Sequence, residues 1–225
     1  MNKNYYKAYE ERYKETYKNN MLWETNEPTN LVLEIIKKYK IDFKDKILDL
    51  GCGEGRDAIN LLNKGYNVLA VDYSNTVINK CNELTNNRYI NNFKQFDLLV
   101  DKMNDKFKFI YSIAVIHMFL LDSDRNKFYE FIYNHLEDDG YALIISMGDG
   151  IKEYKSDINK SFNITKRINI NNKKEVNVVE TSCNIKNKNN LIKEIENNNL
   201  KILSIDIVDS LPNFDKCISI IVKKI

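Results

Sequence analysis

The sequence predicts an α/β fold in which a mostly parallel sheet is covered by helices on both faces. From Lys46 onward, short apolar runs alternate with amphipathic helical segments, which is typical of such a sheet. The first apolar run, 47–50, leads into a glycine-rich turn and then a helix. The second run, 68–71, ends at an acidic residue, Asp72. These observations predict a ligand site at the carboxyl ends of the strands.

The N-terminal segment is predicted to be a helical cover on this core. Residues 3–19 are predicted to form a helix because tyrosines recur every four residues and so share one stripe: Tyr5, Tyr9, Tyr13 and Tyr17. Such a stripe is typical of core packing, and it also suits an aromatic lid over a binding cleft. Pro28 suits the first turn of a second helix.

The core elements follow from apolar spacing and from capping residues. Gly65 is predicted to end the helix 56–64, while Ser74 and Ser123 are predicted to cap the next two helices. A turn is predicted at 138–140 and a further helix at 187–199. The predicted strands are 46–50, 67–71, 89–93, 107–113, 141–147, 200–208 and 214–223.

Residues 148–185 interrupt this alternation and are predicted to form an insert. It contains two runs, 162–170 and 175–183, joined by the polar residues 171–174. Apolar and polar residues alternate in the second run, which favours an antiparallel hairpin. No repeat or low-complexity linker divides the sequence, so residues 1–225 are predicted to form a single domain.

The glycine-rich turn indicates a nucleotide-type ligand. Gly51, Gly53 and Gly55 let the backbone approach a ligand closely, and the helix start behind them offers unpaired N–H groups. The third glycine of a dinucleotide-binding turn is replaced by Arg56, and the Gly-Lys-Ser/Thr of a phosphate-binding loop is missing. Asp72, about twenty residues on, is placed to accept hydrogen bonds from both hydroxyls of a ribose.

The pattern Asp49-x-Gly51-x-Gly53-x-Gly55, followed by an acidic residue closing the second strand, resembles class I S-adenosylmethionine-dependent methyltransferases. The resemblance covers roughly residues 28–225 and implies a Rossmann-like, seven-stranded doubly wound sheet with an antiparallel last strand. It also implies S-adenosylmethionine as the cofactor, with Asp97 accepting a hydrogen bond from the adenine amine. The other residues expected at the cofactor are Asp49, Arg56, Tyr73, Leu98 and Ile113, together with the three glycines and Asp72.

Charge, cysteine spacing and apolar run length argue against DNA, metal and membrane as partners. Lys and Arg total 34 and Asp and Glu total 32, so nothing electrostatic requires a phosphate backbone, and no DNA partner is expected. The four cysteines lie far apart and are expected to be reduced thiols of a cytoplasmic protein, not a metal site. No apolar run approaches the roughly 18 residues of a membrane span, so no membrane partner is expected.

The chemistry of S-adenosylmethionine shapes the expected mechanism. Its methyl group is already activated on a sulfonium, so the resemblance predicts in-line transfer to an acceptor that is held in position. The segment 112–115 lacks the Asn/Asp-Pro-Pro-aromatic motif expected for methylating a nucleic-acid base amine, which favours a small-molecule acceptor. His117, after the fourth strand, is a candidate general base; otherwise it caps the next helix or shapes the pocket. His135 is predicted to be structural.

The cover, residues 1–27, and the insert are predicted to form the acceptor site, because the core strands account for the cofactor. The candidate acceptor residues are Tyr13, Tyr17, Trp23, Met147, Asp149, Arg167 and Ser182. Two alternatives stay open. One is a regulatory module that binds the cofactor without turnover, and the other is a methyltransferase acting on RNA or protein.

Overall fold

The computed structural model describes residues 4–19, 22, 27–168, 175–209 and 215–225. The strands are β1 (Lys46–Leu50), β2 (Asn67–Asp72), β3 (Phe93–Gln95), β4 (Phe107–Ile113), β5 (Leu136–Met147), β6 (Tyr154–Lys155), β7 (Ile164–Ile168), β8 (Glu175–Val179), β9 (Asn184–Ile185), β10 (Leu200–Val208) and β11 (Cys217–Lys224). The α-helices are α1 (Ala8–Lys18), α2 (Asn30–Lys38), α3 (Arg56–Asn63), α4 (Asn75–Leu84), α5 (Asp122–His135) and α6 (Lys188–Glu196).

The main sheet has seven strands in the order β10-β11-β5-β4-β1-β2-β3. Strands β1 to β5 pair in parallel, whereas β11 is antiparallel to both β5 and β10. The predicted fold class, a doubly wound Rossmann-like sheet with an antiparallel last strand, is therefore confirmed. The chain order reverses between β1 and β4, and sheets of this kind bind ligands outside the carboxyl ends of the strands at that point.

Two hydrophobic cores lie on opposite faces of this sheet. In β1, Leu48 and Leu50 belong to the core that α5 and α6 cover, whereas Ile47 belongs to the core that α2, α3 and α4 cover. Each of these three side chains is at most 1% exposed. Burial on both faces is the physical reason why the central strands read as apolar runs in the sequence.

Several element boundaries differ from the sequence prediction. Strand β3 starts at Phe93, where the predicted strand 89–93 ends, because residues 85–92 form turns that include the left-handed residues Asn86 and Asn87. The turn predicted at 138–140 is instead a bulge within β5, since Phe107 pairs with Leu136 and Phe109 with Tyr141.

The capping predictions had mixed outcomes. The Ser74 hydroxyl accepts a hydrogen bond from Val77 N, as predicted for the cap of α4, and Gly65 follows α3 with a φ of +90°. The predicted Ser123 cap is wrong, because α5 already begins at Asp122. Pro28 precedes α2, which starts after Thr29; the Asp57 carboxylate accepts hydrogen bonds from the amide and hydroxyl of Thr29.

The cover and the insert pack against each other. The cover consists of a 3-10 turn, Tyr5–Lys7, that continues into α1. The predicted hairpin is confirmed, because β7 pairs antiparallel with β8, while its connection 171–174 lies outside the described residues. Arg12 Nε of α1 donates a hydrogen bond to Val179 O of β8 (2.8 Å). Among the described residues, no helix has the length and apolar character needed to cross a membrane.

Candidate functional site

The glycine turn lies at the carboxyl end of β1 in a conformation that favours glycine. Gly51, Gly53 and Gly55 all have positive φ angles, of +83°, +52° and +75°. The amides of Gly51 and Cys52 both donate to Val71 O at 2.9 Å, which fastens the turn to β2. The predicted glycine turn is therefore present, and its left-handed backbone conformation is the physical reason why glycines occupy these positions.

Asp72 ends β2 and lies directly beside this turn. Its carboxylate accepts hydrogen bonds from Gly53 N at 3.0 Å and from Ser74 N at 2.8 Å. Burial raises the pKa of Asp72 to about 6, against the lowering effect of these two amides. Since each carboxylate oxygen has further acceptor capacity, Asp72 can also accept hydrogen bonds from ligand hydroxyls.

Asp97 follows β3, the next strand along this edge. Its Oδ1 accepts a hydrogen bond from Leu99 N (3.1 Å) and its Oδ2 accepts one from the Tyr6 hydroxyl of the cover (2.9 Å). The ring of Tyr6 meets that of Tyr73 edge to face, with centroids 5.5 Å apart. Asp72, Tyr73 and Asp97 are thus brought together under the cover. Leu98, next to Asp97, is half-buried against the core.

Two charged residues that flank the glycine turn, Asp49 of β1 and Arg56 of α3, have largely buried side chains. Asp49 is 4% exposed, and burial followed by the charges of Asp49 and Asp57 raises the pKa of the Tyr111 hydroxyl far above its ordinary value. Arg56 donates to the Thr29 hydroxyl (3.2 Å) and contacts the Asp57 carboxylate (3.4 Å). Arg56 therefore ties α3 to the start of α2, and its predicted cofactor role stays a prediction.

The chain leaves β4 in a strained conformation next to the glycine turn. Ile113 ends the strand, and Ala114 has a φ of +58°, which is uncommon for a residue with a side chain. The side chain of Val115 then packs where a Cβ on Gly51 would lie. Strain of this kind is concentrated at functional sites, and here it places the loop after β4 against the glycine turn.

Comparison with known proteins identifies the family of this arrangement. Residues 10–186 match the family described as tellurite resistance protein TehB. The chain belongs to the TehB family. The predicted resemblance to S-adenosylmethionine-dependent methyltransferases is confirmed by this match together with the curated TehB relatives, which are named as probable methyltransferases of this kind.

One TehB relative is a probable S-adenosyl-L-methionine-dependent methyltransferase TehB from Haemophilus influenzae (strain ATCC 51907 / DSM 11121 / KW20 / Rd), 31% identical over 117 residues. The match covers 50% of this chain and 40% of that protein, so the chain spans less than half the length of this curated relative.

Solved structures resemble the chain in fold. An S-adenosylmethionine-dependent methyltransferase from Clostridium acetobutylicum ATCC 824 has a TM-score of 0.67 at 18% identity, covering 87% of this chain and 89% of that one. The glycopeptide N-methyltransferase MtfA, complexed with S-adenosyl-L-methionine, has a TM-score of 0.60 at 14% identity, covering 85% and 86%.

His117 of this TehB-family chain is buried in the loop after β4. It is 4% exposed, and in the part of the chain that the structure describes its Nδ1 has no hydrogen-bond partner. Burial, and after it the charge of Arg125, lowers the pKa of His117 to about 3. The imidazole is therefore neutral near pH 7 and a weak proton acceptor, which favours its alternative role of shaping the pocket.

We expect His117→Asn to retain methyl transfer within about threefold, because a general base would be worth roughly 10²–10⁴ in turnover. The measurement is kcat at saturating cofactor and acceptor, with the affinity for cofactor as the control for folding of the site. A fall of two or more orders of magnitude at unchanged cofactor affinity would restore the general-base hypothesis.

The candidate acceptor residues are distributed over the cover and the insert. Tyr13 is buried, with its ring 6.0 Å from that of Tyr17, and Lys80 of α4 lies over the Tyr17 ring. Ser182 is also buried, and its hydroxyl donates to Met118 O at 2.6 Å, which fastens the insert to the loop after β4.

The other four candidate acceptor residues have few described side-chain contacts or none. Asp149 accepts hydrogen bonds from Ile151 N and Lys152 N, so it stabilises a turn just after Met147, the last residue of β5. Trp23 and the side chain of Arg167 lie outside the described residues. Their roles at an acceptor stay predictions.

Sequence reasoning missed Tyr6 and Glu10 of the cover, and it did not predict the hydrogen-bond partners of Tyr5. Tyr5 and Tyr6 contact Asp124 and Asp97, and the Glu10 carboxylate accepts hydrogen bonds from the hydroxyls of Ser74 (2.5 Å) and Thr76 (2.6 Å). Burial opposes ionisation of Glu10, but these hydrogen bonds outweigh it and lower its pKa. The tyrosine stripe predicted the helical cover, but Tyr6 and Glu10 lie outside its four-residue spacing and were not predicted.

Proposed function

We propose that the chain is an S-adenosylmethionine-dependent methyltransferase that acts on a small molecule. The observation that carries the proposal is the pair of carboxylates at neighbouring strand ends. Asp72, held by two backbone amides, suits the hydroxyls of a ribose, and Asp97 suits the exocyclic amine of an adenine. The left-handed glycine turn beside Asp72 lets a ligand approach the backbone closely.

The protein's part in the reaction is mainly one of orientation. When bound, S-adenosylmethionine supplies a methyl group already activated on a positively charged sulfur. The glycine turn and the two carboxylates would hold the nucleoside part, and the loop after β4 would face the reacting end. Correct placement of reactants can by itself lower a barrier by about 7–11 kcal/mol, so a dedicated base is not required for every acceptor.

A small acceptor is supported by the way the cover and the insert enclose this edge of the sheet. Tyr9 of α1 donates a hydrogen bond to Ser182 O (3.2 Å), and Arg12 donates one to Val179 O (2.8 Å). These hydrogen bonds join the cover to the insert, and both segments also contact residues that follow the strands: Tyr6 contacts Asp97, and Ser182 contacts Met118. Because the family is described as a tellurite resistance protein, small oxyanions belong among the candidate acceptors.

The decisive experiment has two stages. Calorimetry with S-adenosylmethionine and with its demethylated product tests cofactor binding, and a methyl-transfer screen over thiols, amines, hydroxyls and oxyanions including tellurite tests turnover. Binding and transfer to a small acceptor support the proposal. Binding without transfer to any acceptor favours the regulatory module, transfer confined to RNA or protein favours the macromolecular alternative, and lack of binding overturns the cofactor assignment.

We further propose that the cover and the insert form the acceptor pocket, with Tyr13, Tyr17, Trp23, Met147, Asp149, Arg167 and Ser182 as candidate contacts. Closure of these segments would exclude water from the reacting centre. Hydrogen exchange should show protection spreading to both segments when the acceptor joins the cofactor product. A variant lacking residues 1–20 that methylates its acceptor at an unchanged rate would show that the cover only packs against the core.

Cofactor affinity is expected to depend on pH through Asp72. The ionised carboxylate accepts hydrogen bonds from ribose hydroxyls, and the pKa of Asp72 is raised to about 6. Affinity should therefore be constant above about pH 7 and should fall by up to tenfold per pH unit below the pKa. Calorimetry between about pH 5 and pH 8 measures this, with Asp72→Asn as the control, whose affinity should be weak and nearly independent of pH. Equal pH profiles for the two proteins would contradict the assignment.

A further inference from the structure

The second part of the loop after β4, residues 116–121, is held by side chains from distant parts of the chain. Its carbonyl oxygens accept hydrogen bonds from the core and from the insert: Ile116 O from Arg125 Nη1 (2.8 Å), Met118 O from Ser182 Oγ (2.6 Å) and Phe119 O from Asn184 Nδ2 (3.2 Å). The amide of Leu120 instead faces the cover. The conformation of this loop therefore depends on three separate segments of the protein.

Tyr5 is the cover residue that reaches this loop. Its side chain is fully buried, and its hydroxyl accepts a hydrogen bond from Leu120 N (3.0 Å) while donating one to Asp124 Oδ2 (2.7 Å). Since Asp124 lies in the first turn of α5, one hydroxyl joins the cover to both the end of the loop and the start of the helix. Removing that hydroxyl would leave a buried amide without this partner.

Tyr6 reaches the other half of the site. Its hydroxyl donates to Asp97 Oδ2 (2.9 Å), and Leu99 N donates to Asp97 Oδ1 (3.1 Å), so the carboxylate is oriented from both sides. The Tyr6 ring also meets the ring of Tyr73, the residue after Asp72. Tyr6 therefore contacts the groups assigned to the cofactor, whereas Tyr5 contacts the loop at the reacting end.

The two tyrosines are neighbours both in the chain and in space. They are consecutive residues of the 3-10 turn Tyr5–Lys7, and their rings meet edge to face with centroids 5.7 Å apart. One short turn of the cover therefore supplies a contact to Asp97 and a contact to Leu120. Glu10 adds a third contact, because its carboxylate accepts hydrogen bonds from Ser74 and Thr76, which follow Asp72 in the chain.

We propose that Tyr5 and Tyr6 are positioning residues, each for one half of the site. Tyr6 orients Asp97 for the cofactor, and Tyr5 orients the loop 116–121 for the acceptor. The inference rests on the proposed methyl transfer, but its structural part can be tested without turnover.

The experiment compares Tyr5→Phe and Tyr6→Phe with a matched control, Tyr89→Phe. Each variant loses one hydroxyl and keeps its ring, so wholesale unfolding is not expected. The Tyr89 hydroxyl donates to Asn63 Oδ1 (2.8 Å) at the far end of α3, away from both halves of the site. Three quantities are measured on the full chain: exchange of the Leu120 amide, the Kd for S-adenosylmethionine, and kcat and KM for the small acceptor, tellurite included, that the methyl-transfer screen identifies.

Tyr5→Phe should speed exchange of the Leu120 amide by roughly 3–10-fold and lower kcat/KM for the acceptor by a similar factor, because one buried hydrogen bond is lost. Its Kd for the cofactor should stay within about twofold. Tyr6→Phe should instead weaken cofactor binding by roughly 3–10-fold and leave Leu120 exchange in the cofactor-bound protein unchanged. Tyr89→Phe should change none of these.

Several outcomes would overturn the inference. Equal effects of Tyr5→Phe and Tyr6→Phe on all three quantities would mean that the cover is merely structural. Tighter or unchanged cofactor binding in Tyr6→Phe would mean that Tyr6 competes for Asp97 or does not orient it. If the wild-type chain binds cofactor but transfers no methyl group, the proposed function fails, whereas Leu120 exchange and cofactor Kd still decide the division between the two tyrosines.

Discussion

Asp72→Ala is expected to weaken binding of S-adenosylmethionine by roughly 30–150-fold, about 2–3 kcal/mol. The substitution removes the acceptor proposed for both ribose hydroxyls. It also removes the acceptor of two backbone hydrogen bonds, which the amides of Gly53 and Ser74 donate to the carboxylate at 3.0 and 2.8 Å. The loop and the ligand would therefore lose the same anchor. Calorimetry at about pH 8, where Asp72 is ionised, measures the effect.

Asp72→Asn removes the charge of the side chain but keeps part of its hydrogen bonding. Its amide oxygen can still accept a hydrogen bond from one of the backbone amides, but the negative charge and half of the acceptor capacity are lost. We expect an affinity between those of the wild type and Asp72→Ala. An affinity of Asp72→Ala equal to that of the wild type would show that the cofactor does not bind at the end of β2.

Gly51→Ala is expected to lower the free energy of unfolding by about 2–5 kcal/mol. A residue with a side chain at a left-handed φ costs roughly 1–2 kcal/mol, and overpacking in a buried site costs roughly 1–3 kcal/mol. Both costs apply here, because Gly51 has a φ of +83° and its added Cβ would overlap the side chain of Val115. Denaturant unfolding of the purified protein measures the difference.

Gly65→Ala is the matched control for this prediction. Gly65 has a φ of +90°, but no atom lies within 4 Å of an added Cβ, so only the conformational cost of about 1–2 kcal/mol applies. The double variant Gly51→Ala with Val115→Ala should recover part of the overlap energy. If Gly51→Ala and Gly65→Ala lose equal stability, close packing of the loop after β4 on the glycine turn is not what requires a glycine at position 51.

The strand ends proposed to hold the cofactor could partly be located from the sequence. The glycine turn and Asp72 each follow an apolar run, and parallel strands bring their carboxyl ends to one edge of the sheet. Asp97 follows the short strand β3, which is not an apolar run, and its role was expected only from the resemblance to methyltransferases. The same local reasoning failed where short-range signals compete, as at Ser123, which lies inside α5, and at 138–140, where a bulge replaces a turn.

Only the tertiary structure decided how the cover meets the core. The hydrogen bond of Tyr6 to Asp97 joins residues 91 positions apart, and that of Tyr5 to Asp124 joins residues 119 positions apart. Neither contact produces a periodic pattern in the sequence, because a hydroxyl and a carboxylate can form a hydrogen bond wherever tertiary packing brings them together. Likewise, burial beside Arg125 made His117 a poor base, although its sequence position had made it a candidate. The sequence by itself determined the central strands, the glycine turn and the acidic end of β2, since these depend on neighbours along the chain. The partners of the cover and the protonation of His117 depend on neighbours in space, and only folding sets those.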